Sequence, residues 1–296
     1  MNNIKIPNPK NVERIRKEIK KGGANNLHII SDFDRTLTKA FVDGEKVPSI
    51  ISAIRRNSYL GEDYAKKAHA LFGKYHPIEA NPDISHKEKS EKMHEWWKKH
   101  YDLLKEKGMN KEILREVVED DKIQFREGIK EFLDLLNENN IPLIILSSSG
   151  IGNCIEMFFD RIDRNYDNIW IISNFLEFDS EGKMKGVKGK IIHPFNKNQA
   201  SLSNLSIYGE LKGRRNVILM GDSLGDLGMV KGFNYREIIK VGFFNYEIDE
   251  TYEDYKDKFD ILIMNDSDIG YVNQLLKDSI ANKKTSKCVS FKPNPW

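Results

Sequence analysis

Two aspartates separated by one residue, Asp32 and Asp34 in Asp32-Phe33-Asp34-Arg35-Thr36-Leu37, have types and spacing suited to chemistry. On an extended backbone alternate side chains face the same side, so both carboxylates can reach one substrate atom. One could attack while the other transfers a proton. A surface turn or a helix cap would use the same residues, but the Thr36-Leu37-Thr38 that follows strengthens the chemical reading. A second pair, Asp222 and Asp226, lies in Gly221-Asp222-Ser223-Leu224-Gly225-Asp226-Leu227. Such hard oxygen donors suit Mg²⁺ held by one or two carboxylates plus phosphate and water, although Asp222 or Ser223 could equally cap a helix.

A third run ends in Ser147-Ser148-Ser149-Gly150 just before a predicted helix. Hydroxyls and free N–H groups at a helix N-terminus form a seat for phosphate, and a plain serine cap is the simpler alternative. Lys197, in His193-Pro194-Phe195-Asn196-Lys197-Asn198, is a lone loop cation to which spacing alone assigns no role.

The elements that must position these groups alternate along the chain. Residues 12–20 read as an amphipathic helix stopped at Gly22-Gly23, and 27–33 as a buried strand ending on the first aspartate pair. After Phe125 come a helix over 129–136, a strand over 141–146, a helix after Gly150 and a strand over 168–173. A hairpin over 175–192 follows, then strands over 216–220, 237–241 and 260–264, with a helix from Leu224. Such alternation predicts a doubly wound parallel α/β sheet, whose ligands bind beyond the C-terminal ends of its strands. Both aspartate pairs and the serines fall there.

Between residues 48 and 124 the β-branched runs disappear and a helical insert is expected. Its clearest helix opens with the capping pattern Ser85-His86-Lys87-Glu88 and carries Met93, Trp96, Trp97, His100, Tyr101 and Leu104 on one stripe, which ordinary packing would also explain. The expected division is a core of 1–47 and 125–296 interrupted by a helical cap at 48–124. The last segment, 281–296, reads as a polar surface tail.

With 39% hydrophobic and 31% charged residues and a net charge of only +2, the composition is that of a soluble globular protein and does not favour nucleic acid as a partner. Cys154 and Cys288 stand far apart without a metal-binding pattern, so two free thiols in a reducing compartment are expected. No apolar run has the length of a signal peptide or a membrane span, which predicts a cytoplasmic protein with no membrane partner. A monomer is expected.

Taken in order, Asp-x-Asp-x-Thr, a strand-end serine, a lysine and Gly-Asp-x-x-x-Asp resemble the haloacid dehalogenase superfamily. Within it the chain is most similar to the pyrimidine 5′-nucleotidase family of the cytosolic 5′-nucleotidase III type, whose members also hydrolyse 7-methylguanosine monophosphate. The similarity runs over residues 4–277 and includes Lys21-Gly22-Gly23-Ala24, Pro77-Ile78-Glu79, Glu95-Trp96, Phe125-Arg126-Glu127-Gly128, Ser173-Asn174-Phe175 and Phe195-Asn196-Lys197.

The resemblance implies an Mg²⁺-dependent 5′-nucleotidase acting on a nucleoside monophosphate, with Asp32 as nucleophile and Asp34 as acid and base. The metal would be held by Asp32, the Asp34 carbonyl and Asp222. Lys197 would stabilise the transferring phosphoryl group, and Asp226 would orient Lys197 or a metal-bound water. The serine run is one residue longer than the family's Ser-x-Gly-Ile-Gly: counting from Gly150 selects Ser148 and Ser149, the preferred reading, and counting from Pro142 selects Ser147. In the insert, Glu79 matches the residue that reads the base, Trp97 a stacking position, and His100 stands where human-type enzymes carry serine. Choice between pyrimidine and 7-methylguanine stays open on these residues. A same-fold phosphatase for another phosphomonoester such as phosphoserine, and a catalytically silent nucleotide-binding protein, are the rival readings; the intact set of Asp32, Asp34, Lys197, Asp222 and Asp226 argues against the second.

Overall fold

The computed structural model describes residues 3–56, 58–197, 209, 211–246 and 251–281. Cys288 and nearly all of the polar tail lie outside the described residues, whereas Cys154 is free and buried.

Strands whose residues are almost all apolar can be satisfied only in a sheet covered on both faces. That is where β2 (Leu27–Ser31), β5 (Leu143–Ile151), β9 (Asn216–Gly221) and β11 (Ile261–Met264) lie, in a seven-stranded sheet of order β1-β11-β10-β9-β2-β5-β6. β6 spans Ile169–Asn174 and β10 spans Glu237–Phe244. All pairings are parallel except that of the edge strand β1 (Ile4–Lys5), which runs antiparallel to β11. Side chains alternate between two cores: Ile29, Ile145 and Ile218 face one, and Ile30, Ile144 and Leu219 face the other. Each buried Ile or Leu contributes about 1.5–3 kcal/mol.

The chain winds outward from β2 through β5 to β6, then returns to place β9, β10 and β11 on the other side of β2. β2 is therefore the switch point, and the crevice at its C-terminal end opens between β5 and β9.

Helix α1 (Pro9–Gly22) begins where the Asn8 side chain accepts from the Asn11 N–H at 3.1 Å and ends at Gly23, whose φ of +64° suits a residue without Cβ. The insert contributes α2 (Ile50–Arg56), α3 (Gly61–Ala80), α4 (His86–Glu106) and α5 (Lys111–Glu119). The Ser85 hydroxyl accepts from the Glu88 N–H at 3.2 Å and caps α4. α3 packs against α4, α2 against β5, and α5 against α7 (Gly152–Arg161), which follows α6 (Ile129–Glu138) and β5. Entry and exit of the insert are tied together: the Lys39 N–H donates to the Gln124 carbonyl at 2.8 Å, and the Arg126 N–H to the Leu37 carbonyl at 3.0 Å.

Two local expectations are corrected, and one element appears where none was expected. The strand expected over 141–146 starts later and runs through the serines to Ile151, because the Ile141 N–H closes the preceding helix by donating to Leu136 and Pro142 has no N–H to pair. The helix expected from Leu224 is a 3₁₀ segment, Leu224–Val230, whose Gly225 and Gly228 disfavour a longer α-helix. A small hairpin, β3 (Phe41–Val42) and β4 (Glu45–Lys46), follows the first aspartate pair and turns at Asp43-Gly44, both at positive φ. A second hairpin, β7 (Leu176–Phe178) with β8 (Met184–Val187), occupies the predicted 175–192 excursion.

Candidate active site

Asp32 is the first residue beyond β2, and its N–H still donates to the Met220 carbonyl of β9 at 3.0 Å. The chain then leaves the sheet, passes Asp34 and turns at Arg35, whose φ of +60° is the left-handed region that a side chain adopts only when its surroundings require it. Both carboxylates end up 7% exposed.

Lys197 reaches them from a loop built by asparagines. Asn174, at the end of β6, holds Ile192 by accepting from its N–H at 2.8 Å and donating to its carbonyl at 2.9 Å. Asn196 closes the next turn by accepting from the His193 N–H at 2.7 Å. The Lys197 ammonium then donates to Asp32 Oδ1 and, at 2.9 Å, to Asp226 Oδ1. The segment directly after Lys197, residues 198–208, lies outside the described residues.

Asp226 is held on both of its oxygens. Its Oδ2 accepts from the Ser223 N–H at 3.0 Å and the Ser223 hydroxyl at 2.9 Å. This close approach needs glycine at 221, where a Cβ would lie 2.4 Å from that of Asp226. Asp34 is held by two donors, the Ser149 hydroxyl at 2.7 Å on Oδ2 and the Ile50 N–H, at the start of α2, at 3.3 Å on Oδ1. The Ser147 hydroxyl is turned inward, accepting from the Gly150 N–H at 2.9 Å, which leaves Ser148 and Ser149 nearer the crevice end of the strand.

Burial dominates the electrostatics. It pushes the Asp32 carboxyl well up, with Lys197 opposing and Asp226, Asp222 and Asp34 adding to the shift. It also raises Asp34, against the Ser149 hydrogen bond. Asp222 is pushed up to about 7 by burial and then by Asp226. Burial works against the Lys197 charge, but Asp226 and Asp32 outweigh it and keep the ammonium protonated. Crowded carboxylates that resist ionising are a place where added positive charge is stabilising. Asp32, Asp222 and Asp226 each offer an oxygen within 4.8 Å of the others, an acidic cluster of the kind that could hold a divalent cation.

The insert residues lie on the two long helices, Glu79 on α3 and Trp97 and His100 on α4. Trp97 is 6% exposed, and its ring is nearly parallel to those of Trp96, His100 and Tyr101, with centroids 5.7–6.2 Å apart. His100 is buried, shares a 2.9 Å hydrogen bond between its Nε2 and the Tyr64 hydroxyl, and is held neutral by burial, which lowers it to about 3. Glu79 is half-buried near the end of α3, and burial raises its carboxyl above the ordinary range. Arg126 and Asn245, to which spacing assigned no chemistry, lie beneath the first aspartate loop. The Phe125-Arg126-Glu127-Gly128 run, which carries part of the family resemblance, was the available signal, but the partners of Arg126 are distant in sequence.

A mostly parallel sheet with paired acids beyond β2 and β9 defines the haloacid dehalogenase class of phosphatase, and comparison with solved structures gives the same fold. A substrate-bound phosphoserine phosphatase aligns with a TM-score of 0.51 at 17% identity, over 84% of this chain and 97% of that one. The nearer relationships are to nucleotidases. Residues 35–280 match the family described as "Pyrimidine 5′-nucleotidase (UMPH-1)". The "7-methylguanosine phosphate-specific 5′-nucleotidase" of Homo sapiens is 38% identical over 270 residues, 91% of this chain and 90% of that protein. The crystal structure of "cytosolic 5′-nucleotidase IIIB (cN-IIIB) bound to cytidine" aligns with a TM-score of 0.84 at 30% identity, covering 94% of each chain. The chain belongs to the pyrimidine 5′-nucleotidase family and is a nucleotide phosphatase. Among the described residues no helix is long and apolar enough to cross a membrane.

Proposed function

We propose that this nucleotidase hydrolyses CMP, UMP and 7-methylguanosine 5′-monophosphate through an aspartyl-phosphate on Asp32. The observation that carries the reading is the convergence of Asp32, Asp34, Lys197, Asp222 and Asp226 at the switch point of the sheet. An Asp32 oxygen forms the bond to phosphorus as the bond to the 5′-oxygen breaks. Asp34, whose carboxyl is raised above its ordinary range by burial, gives its proton to that oxygen. As a carboxylate it then takes a proton from the water that attacks the aspartyl-phosphate, which frees Asp32 and phosphate.

Lys197, oriented by Asp226, faces the equatorial oxygens, with Ser148 and the neighbouring N–H groups donating to the same atoms, and Ser149, whose one hydroxyl proton goes to Asp34 in the free protein, turning it to them when phosphate binds. Mg²⁺, held by Asp32, the Asp34 carbonyl and Asp222, would neutralise charge on the transferring group.

Residues 48–124 act as a cap over the core of 1–47 and 125–296, closing to exclude water and opening for release. Glu79 accepts from base N–H donors, and Trp97 stacks on the base beside a neutral His100. The enzyme works as a cytosolic monomer. Phosphate release with Mg²⁺ and with EDTA from CMP, UMP, 7-methyl-GMP, AMP, GMP and phosphoserine tests the proposal. Metal-dependent release mainly from the first three is expected; release mainly from phosphoserine would overturn it.

A further inference from the structure

The sharp turn after Asp34 is secured from beneath by a side chain that touches neither carboxylate. Arg126 enters the core where the insert ends, and its side chain is fully buried. A guanidinium has five N–H donors in a fixed planar fork, and all five are used here. Nε donates to the Thr36 carbonyl at 2.8 Å. Nη2 donates to the Arg35 carbonyl at 2.6 Å and to Asn245 Oδ1 at 2.7 Å. Nη1 donates to the Ser267 carbonyl at 2.7 Å and pairs with Asp266 Oδ1 at 2.9 Å. The Asn245 amide completes a ring by donating to the same Arg35 carbonyl at 3.0 Å. Phe243 lies under the guanidinium, its centroid 4.5 Å away.

Two donors therefore converge on the carbonyl of the one left-handed residue in the loop, immediately after Asp34. We infer that Arg126 and Asn245 are positioning residues for the proton-transfer step: by fixing the Arg35 turn they hold the Asp34 carboxyl in line with the departing 5′-oxygen. The inference rests on the proposed role of Asp34 as acid. A clamp that only tied the loop to the end of β11 would affect folding and every substrate alike. A clamp that aims an acid affects most the reactions that need the proton.

Single-turnover phosphorylation of Asp32 in Mg²⁺ separates the two. The probes are CMP, whose alkoxide leaving group must be protonated, and p-nitrophenyl phosphate, whose phenolate departs without help. Arg126→Lys keeps the charge but supplies at most three donors without the fork. It is expected to slow the CMP reaction about 10–100-fold more than the p-nitrophenyl reaction, with KM for CMP unchanged. Asn245→Ala, which leaves the Arg126 to Arg35 bond in place, is expected to give a smaller bias in the same direction and decides the matter should the lysine variant fail to fold. Equal slowing of both substrates, or a lowered melting temperature with both rates intact, overturns the inference. Asp34→Asn measured alongside distinguishes the failures. If it too treats both substrates alike, the acid assignment is wrong and the clamp falls with it; if it is selective and the Arg126 and Asn245 variants are not, the clamp alone is wrong.

Discussion

The two ends of the proposed cleft are finished to different degrees. At the core end the charged groups already have partners: both oxygens of Asp34 and of Asp226 are engaged, Lys197 bridges Asp32 and Asp226, and Arg126 is saturated, although Thr36 Oγ1 in the aspartate loop and His193 Nδ1 in the lysine loop are buried without one. At the insert end, the buried Nε1 atoms of Trp96 and Trp97, the Tyr101 hydroxyl and Arg55 Nε have no hydrogen-bond partner among the described residues. A buried donor without a partner costs about 1–3 kcal/mol. On the proposed reading, the reaction chemistry is built before substrate arrives, whereas the insert keeps buried donors that are left without a partner. Preorganised dipoles need no rearrangement during phosphoryl transfer, and that transfer is the same whatever the base.

Changes at the finished end should therefore damage kcat, and changes at the unfinished end should damage KM in a base-dependent way. Asp32→Asn is the largest expected effect, loss of turnover by a factor of about 10³ or more with nucleotide binding retained, since no covalent bond to phosphorus can form. Equilibrium binding of CMP beside a turnover assay checks it, and substantial residual turnover would remove Asp32 as nucleophile. Lys197→Met comes next. Removing one preorganised charge from a dry site lowers kcat by about 10²–10³ for every nucleotide equally. A base-dependent loss on steady-state kinetics would break the proposed separation of the two ends.

How much of this arrangement was legible beforehand follows from what each feature depends on. The strands β2, β9 and β11 declared themselves because a strand covered on both faces reads as a short, mainly apolar run. The helices of the insert did so because β-branched runs give way to residues at helical spacing, with Ser85 and Glu88 as a local start signal. The extension of β5 through Ser147, Ser148 and Ser149 did not, because three hydroxyl residues read as a loop until β6 is seen beside them. β1 is two residues long and exists only through its pairing with β11. The aspartates and Lys197 were recognisable as a set only in combination, since the bonds from Lys197 span 165 and 29 positions. The Arg126 clamp was less legible still, because its acceptors at Arg35, Asn245, Asp266 and Ser267 carry no periodicity that points back to it.

At the insert end, Glu79→Gln is expected to raise KM for CMP about 10-fold with kcat unchanged, because the amide keeps one acceptor oxygen but loses the charge and sets an NH2 donor where the second oxygen stood, a loss of about 1–3 kcal/mol. Its pH dependence sharpens the case. Burial raises the Glu79 carboxyl, so the neutral form persists to higher pH than usual and the accepting carboxylate appears only above that point. KM for CMP should then fall as pH rises through the Glu79 ionisation in the wild type and stay flat in the glutamine variant. A pH profile that both proteins share would place the titrating group elsewhere.

The smallest expected effect, Trp97→Phe, asks whether the aromatic array recognises charge. An indole face attracts a cation more strongly than a benzene ring, by about 1 kcal/mol in a partly dry site, whereas both rings stack on a neutral base. His100, held neutral beside Trp97, adds no positive charge to oppose a cationic base. KM for 7-methyl-GMP should therefore rise about 5-fold relative to KM for CMP, with kcat for both unchanged, the ratio being that free-energy difference expressed as binding. An equal change for both nucleotides would mean that the tryptophan contributes surface and not charge recognition. A change in kcat would mean that the insert also helps to position the phosphate, and the division between a finished reaction end and an open recognition end would no longer hold.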